Sequence, residues 1–316
     1  MNARNDSVTH IVDDRALLEL GRVLQQKGYC FTTVTPATHG RNLERRERAQ
    51  TLRDIFGWSK PFERSLLMDS EFELARRAGI LERHAHGWRS AVRWSTLDGL
   101  LVAHSAYPTE NPDDVFFGPD TYRFVRLIKD FLSAGAAIGR AVDVGCGSGA
   151  AALVIARRRP DAEVVAVDIN PLALRLAAVN ARLASITNIG TKLGDMLNDV
   201  HGNFDLIVAN PPFMMDSASR KYRDGGGALG AEISLRIVET ALARLNRRGT
   251  LLLYTGVAIV DGKDLFLQTI ERFLAAHDCS WHYEEIDPDV FSEELATPAY
   301  KAVERIAVVG LRLTLR

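Results

Sequence analysis

The chain has 316 residues, 47% of them apolar and 25% charged, which is more length than one compact core comfortably serves, so two domains or one enlarged domain is expected. A net charge of −1 gives no overall pull toward nucleic acid or anionic lipid. No apolar run approaches membrane-spanning length, and Cys30, Cys146 and Cys279 lie far apart, so a reducing cytoplasm is expected rather than export, membrane insertion or a disulfide framework.

In chain order, Asp13 and Asp14 are placed to cap a helix over 15–27 that Gly28 ends. A second helix is predicted over 42–56, stopped by Gly57, and a third over 69–77, before Gly79. The runs 88–94 and 100–104, either side of Asp98-Gly99, read as a β-hairpin. Residues 1–106 are thus expected to form a small α+β domain, with a winged helix as one form it could take. A connector over 107–119, rich in Pro, Asn and Asp, would join it to a second domain over 107–316.

Arg41, Arg45, Arg46, Arg48 and Arg53 fall on the second predicted helix and could meet phosphates, but Glu44 and Glu47 interleave with them, as on a solvated helix face. Trp58, Phe62 and Trp94 read as core or interface aromatics. His84, His86 and His104 lack the Cys or carboxylate spacing that would complete a metal site.

From Arg140 onward, short apolar runs alternate with helical patterns, as in parallel strands joined by crossover helices. Strands are predicted over 141–145, 163–168, 191–193, 204–209 and 250–255, with helices over 150–159, 171–184, 230–245 and 264–277. Two last β-rich runs, 281–286 and 304–315, are too close in sequence for another crossover and are placed as an antiparallel pair. The expected fold class is α/β, a doubly wound sheet with a C-terminal antiparallel strand pair beside the small α+β N-terminal domain.

The first of these strands runs into Gly145-Cys146-Gly147-Ser148-Gly149 and opens a helix at Ala150, so backbone can approach a ligand closely. Gly145, Gly147 and Ala150 also satisfy the relaxed dinucleotide pattern, which keeps an NAD-type site open. Asp168, at the end of the next strand, suits a ribose under either reading. Asp143, Asp195 and the quartet Asn210-Pro211-Pro212-Phe213 separate the two. Asn210 ends a buried strand, and the two prolines donate no N–H, so the Asn210 side-chain oxygen and a turn carbonyl could each accept one N–H from a planar amide or amine. Phe213 could stack on that flat group, worth about 0.5–1.5 kcal/mol beyond burial.

At these residues the chain resembles the class I S-adenosylmethionine-dependent methyltransferases, and over about residues 116–256 it is similar to HemK-like N-methyltransferases. The resemblance implies S-adenosylmethionine as cofactor, with Gly145, Cys146 and Gly147 along its methionine and ribose portions, Asp168 on the ribose and Asp195 on the adenine amino group. Ile169, Met196 and Asn210 are also implied at the cofactor. A nearby acid such as Asp143 suits the cationic sulfonium, and Thr121, in Phe116-Phe117-Gly118-Pro119-Asp120-Thr121-Tyr122, is matched to the methionine end. HemK-like enzymes usually have tyrosine where this chain has Phe213, and their amino-terminal part is helical, so the predicted hairpin departs from the pattern. The loop from Tyr222 through Gly225, Gly226 and Gly227 to Glu232 resembles a glycine-bearing loop of that family and is expected to act as a lid. The acidic residues Asp287, Asp289, Glu293 and Glu294 could border the acceptor cleft. The implied function is methyl transfer to an amide or amine nitrogen of a protein, peptide or small molecule. The alternatives are a nucleobase amino group in rRNA or tRNA, and a non-catalytic adaptor that keeps the cofactor fold.

Overall fold

The computed structural model describes residues 11–85, 87–216, 220 and 222–316. Helix α1 (Asp14–Gln26) starts where expected, its first N–H groups taken by the Asp13 carboxylate at 2.9 and 3.0 Å. The predicted second helix is instead two, α2 (Pro36–Arg45) and α3 (Leu52–Phe56). The cause is local. Thr51 and Asp54 form a capping box that starts a new helix, and the Asp54 carboxylate also binds Arg46 through both oxygens at 2.8 and 2.9 Å. The arginine stripe is broken with it: Arg46 pairs with Asp54 and Arg48 with Glu63 at 2.9 Å.

Helix α4 (Asp69–Arg77) is followed by two hairpins rather than one, β1–β2 (Leu81–His84 and Gly87–Ser90) and β3–β4 (Val92–Leu97 and Leu100–Ser105). The run 88–94 is interrupted at Ala91, so Trp88 and Trp94 lie on different strands. The second hairpin turns at Asp98-Gly99, both with positive φ, as the dipeptide demands.

After α5 (Pro119–Ser133) come β5 (Arg140–Val144), α6 (Ala150–Arg158), β6 (Glu163–Asp168), α7 (Pro171–Leu183), β7 (Ile189–Leu193), β8 (Phe204–Ala209), α8 (Glu232–Arg244), β9 (Leu245–Val260), β10 (Lys263–Asp264), α9 (Leu265–Leu274), β11 (Cys279–Asp287) and β12 (Arg305–Leu315). The sheet order is β11-β12-β9-β8-β5-β6-β7, parallel from β9 to β7, with β12 antiparallel to both its neighbours. This is a Rossmann-like, doubly wound sheet with an antiparallel strand pair at one edge. Alternate residues serve opposite faces: Val142, Val144, Ile207 and Ala209 pack with α8 and α9, whereas Ala141, Leu206 and Val208 pack with α5 and α6.

The N-terminal elements lie on α7. Leu17, Leu20 and Leu24 share an apolar cluster with Leu176, Val179 and Leu183, and buried Asn180 binds both the N–H and the carbonyl of Ala103 at 2.8 and 3.0 Å. At the tip of the β3–β4 hairpin, Asp98 pairs with Lys129 of α5 at 2.6 Å and Arg158 of α6 at 2.9 Å.

Candidate active site

The parallel register brings distant sequence together. Val144 stands beside Val167 on one side and Ala209 on the other, and Asp168 beside Leu193. The segments after β5, β6, β7 and β8 therefore leave the sheet at one edge, where open α/β sheets present ligand crevices. There a cavity is lined by Thr121, Asp143, Gly145, Cys146, Gly147, Asp168, Ile169, Asp195, Met196, Asn210, Pro211 and Pro212.

Its floor is backbone. Gly145 has φ +69, and a Cβ built on it would meet no protein atom within 4 Å, so the missing side chain leaves open space that a ligand can occupy. Asp168 holds the loop from the side, its two oxygens accepting from Gly147 N and Asn170 N, each at 2.8 Å. Asp143 is buried on the α6 face and accepts the Ala152 N–H at 3.0 Å, one of the first-turn donors a helix cannot satisfy itself. Burial, with the Asp168 charge adding, lifts its carboxyl to about 7. Burial also pushes the Cys146 thiol well up, so this cysteine is a neutral part of the wall. Thr121 is buried and accepts the Gly118 N–H at 3.2 Å. At the other end, half-exposed Ile169 and buried Met196 flank the space, and Asp195 meets Arg236 of α8 at 3.0 Å. An open glycine floor, a carboxylate after the second strand, and an apolar pair with a carboxylate at the far end fit a nucleoside.

A second cavity adjoins the first. Phe116, Asn210, Pro211, Pro212 and Tyr222 line both, and Asp120, Phe213, Phe291 and Glu293 line the second alone. The Asn210 side chain makes no hydrogen bond among the described residues, so its amide is available where the two spaces meet. The Phe213 ring is only 9% exposed. It lies on Gly256 so closely that a Cβ there would come within 2.2 Å, and its centroid is 5.9 Å from that of Phe291. The Phe116 and Tyr222 rings are nearly parallel, 3° apart with centroids at 6.4 Å, and the Tyr222 hydroxyl donates to Thr109 O at 2.7 Å.

Of the acidic residues expected near the acceptor, Glu293 lines this cavity, Asp287 pairs with Arg123 at 2.7 Å and Glu294 pairs with Arg223. Sequence reasoning missed Arg236; it had Phe116 and Asp120 only as members of the segment expected at the methionine end, and Tyr222 only as part of the loop expected to act as a lid, with no place for any of them in the second cavity. Their signals are single side chains on a helix or loop, and only the fold gathers them. Pro36, at the start of α2, also reaches the second cavity. His104 is buried, bonded to Ser95 at 2.8 Å and Ser105 O at 3.0 Å, His84 ends β1 in the open, and His86 lies outside the described residues.

Residues 125–258 match the family model described as methyltransferase small domain. The release factor glutamine methyltransferase of Aliivibrio fischeri is 35% identical over 147 residues, 46% of this chain and 50% of that protein. The ribosomal protein L11 methyltransferase of Thermotoga neapolitana is 33% identical over 146 residues, 46% of each. The chain thus spans about half the length of these relatives. In fold it is similar to Methanocaldococcus jannaschii Trm5 in complex with adenosine, with a TM-score of 0.50 at 17% identity, covering 74% of this chain and 59% of that one. Trm5b from Pyrococcus abyssi gives a TM-score of 0.50 at 16% identity, covering 74% and 62%. The chain carries a methyltransferase domain whose cofactor is S-adenosylmethionine.

Proposed function

We propose that the chain, with its methyltransferase small domain over residues 125–258, moves a methyl group from S-adenosylmethionine to a planar amide or amine nitrogen of a protein, peptide or small molecule. The observation that carries this reading is the Asn210 amide, without a hydrogen bond among the described residues and lining the junction of the two cavities. In the first cavity, Gly145 and Gly147 lie along the cofactor's backbone-facing edge, Asp168 accepts from the ribose hydroxyls, Asp195 accepts from the adenine amino group, and Ile169 and Met196 hold the adenine faces. Asp143 offers negative charge toward the cationic end, and Thr121 bounds the methionine end. When bound, the cofactor supplies an electrophilic methyl group.

The chain's own work is alignment. Asn210 and a carbonyl of the Pro211-Pro212 turn accept the two N–H groups of the acceptor, which directs the nitrogen lone pair at the methyl carbon. Holding two reactants at attack distance can supply about 7–11 kcal/mol of the barrier reduction, so no strong nucleophile from the protein is needed. Phe213, largely covered, supports the turn from behind and offers one edge to the second cavity. That Pro36 reaches this cavity supports a part for residues 1–106 in selecting the acceptor.

The test is incubation with methyl-labelled cofactor and fractionated cell extract, followed by Asn210→Ala. The variant should lose about a hundredfold or more in turnover, as when one well-placed polar group is removed from a reacting centre. Its affinity for S-adenosylmethionine, by calorimetry, should stay within a few fold. Full turnover by Asn210→Ala would refute the clamp. The nearly parallel Phe116 and Tyr222 rings favour a nucleobase amino group as a second reading, for which label would enter RNA and binding would weaken steeply with salt.

A further inference from the structure

Methyl transfer to an amide or amine leaves a problem that the Asn210 turn does not solve. The nitrogen's lone pair forms the new N–C bond, the electron pair of the broken C–S bond stays on sulfur, and the nitrogen is left positively charged with one proton too many. Asn210 and a turn carbonyl can accept hydrogen bonds from that group, but neither can take its proton.

One carboxylate in the second cavity can. Asp120, in the first turn of α5, is 3% exposed and lines that cavity with Asn210, while its neighbour Thr121 lines the first. It is held by one oxygen only: Oδ1 accepts from the Tyr254 hydroxyl at 2.7 Å and from Arg123 Nη1 at 3.2 Å, and Oδ2 accepts no hydrogen bond among the described residues. Arg123 is anchored in turn by Asp287 at 2.7 Å. The other charged groups lining the cavity are Glu293, Arg220, which is paired with Asp216, and Arg223, which is paired with Glu294. Neither arginine is left as an unpaired cation to hold the Asp120 proton off.

We propose that Asp120 is the proton acceptor of the transfer: its Oδ2 takes the surplus N–H proton from the methylated nitrogen and gives it to water when the product leaves. This rests on the methyltransferase reading above. Burial, with the charge of Asp287, raises the Asp120 carboxyl above the ordinary range against the lowering effects of Tyr254 and Arg123, which makes the group a better base than a surface aspartate.

The test needs no identified acceptor. Acetamidinium is a planar cation shaped like a protonated amide, and acetamide is its neutral counterpart. Both are titrated by NMR into the full-length protein, alone and saturated with S-adenosylhomocysteine. The wild type should bind acetamidinium about tenfold or more tightly than acetamide at mildly alkaline pH, the step expected for one charge-assisted hydrogen bond. Asp120→Asn should bring the two probes within about twofold. Tyr254→Phe removes a donor that favours the ionised carboxylate, so the pH midpoint of acetamidinium binding should move upward by about one unit.

Equal binding of the two probes by the wild type, or a preference that survives Asp120→Asn, overturns the proposal. If Asp120→Asn does not fold, an unmoved midpoint in Tyr254→Phe overturns it instead. Calorimetry with S-adenosylhomocysteine judges the methyltransferase reading separately: no binding there sinks that reading, while the probe titration of the protein alone still reports on Asp120.

Discussion

Replacing Asp143 by Asn should make the protein more stable in mild alkali while weakening its hold on the cofactor. In the folded chain this carboxyl ionises near 7, against the usual 3.8, because it is fully buried and faces Asp168. The sign follows directly. Between these two values the folded state keeps a proton that the unfolded state has released, so stability falls as pH rises from about 4 to about 7 and then levels off. At about 1.4 kcal/mol per tenfold step, the full penalty is about 4 kcal/mol, of which about 2.5 kcal/mol develops between pH 5 and pH 8. Asn keeps an oxygen for the Ala152 N–H but has no charge to bury, so the penalty is absent in the variant. His39 is held by burial at about 4, and its linkage runs the other way over much of the same range, so the quantity to measure is the difference between wild type and variant. Urea unfolding of both proteins at the two pH values gives it. Asp143→Asn should gain about 2.5 kcal/mol on the wild type between them, and a difference that stays constant within about 0.5 kcal/mol would refute the buried-carboxylate argument. With the cationic end of S-adenosylmethionine placed beside Asp143 as proposed, wild-type affinity should rise as pH passes through about 7, and the Asn variant should be flat.

Gly145→Val fills the open floor of the first cavity and strains a residue at φ +69, so calorimetry should show cofactor binding lost while thermal stability falls by only about 1–2 kcal/mol. Binding retained at wild-type strength would mean the cofactor lies elsewhere. In Gly256→Ala the new methyl would lie 2.2 Å from the Phe213 ring and push it toward the second cavity. Turnover should drop at least tenfold with cofactor affinity unchanged, and an unaltered rate would remove Phe213 from the acceptor site. Asp98→Ala cuts two ion pairs that tie the β3–β4 hairpin to α5 and α6, both with partly exposed partners, so about 1 kcal/mol of stability should be lost. Faster hydrogen exchange should be confined to that hairpin, and exchange unchanged there would show that the buried Asn180 bridge is the attachment that matters.

The sheet and its helices were legible because most of the strands carry a short apolar run, and α7 and α9 open on side-chain caps at Asn170 and Asp264. The first cavity was legible for a related reason. Gly145, Asp168, Asp195 and Asn210 all stand at or just past the ends of parallel strands, and a parallel sheet brings strand ends to one edge whatever the connections do. The N-terminal part was less readable. The helix period runs on through 46–51, and only the competing capping box at Thr51 and Asp54, closed by Arg46, breaks it. The run 88–94 has one uniform β pattern, so the pairing that divides it at Ala91 left no mark.

The sequence alone determined the α/β class, the glycine loop after β5 and the Asn-Pro-Pro-Phe turn after β8, because these depend on local backbone chemistry repeated at strand ends. Tertiary structure alone decided what surrounds the acceptor. Phe116, Asp120, Tyr222 and Phe291 meet Asn210 only after α5, the loop beyond β8 and the segment beyond β11 have packed against one another. It also decided that Phe213 lies on Gly256 with most of its ring covered, and that Asp143 is buried deeply enough to keep its proton up to about pH 7. Burial and side-chain convergence depend on contacts between segments far apart in the chain, and no local pattern encodes them.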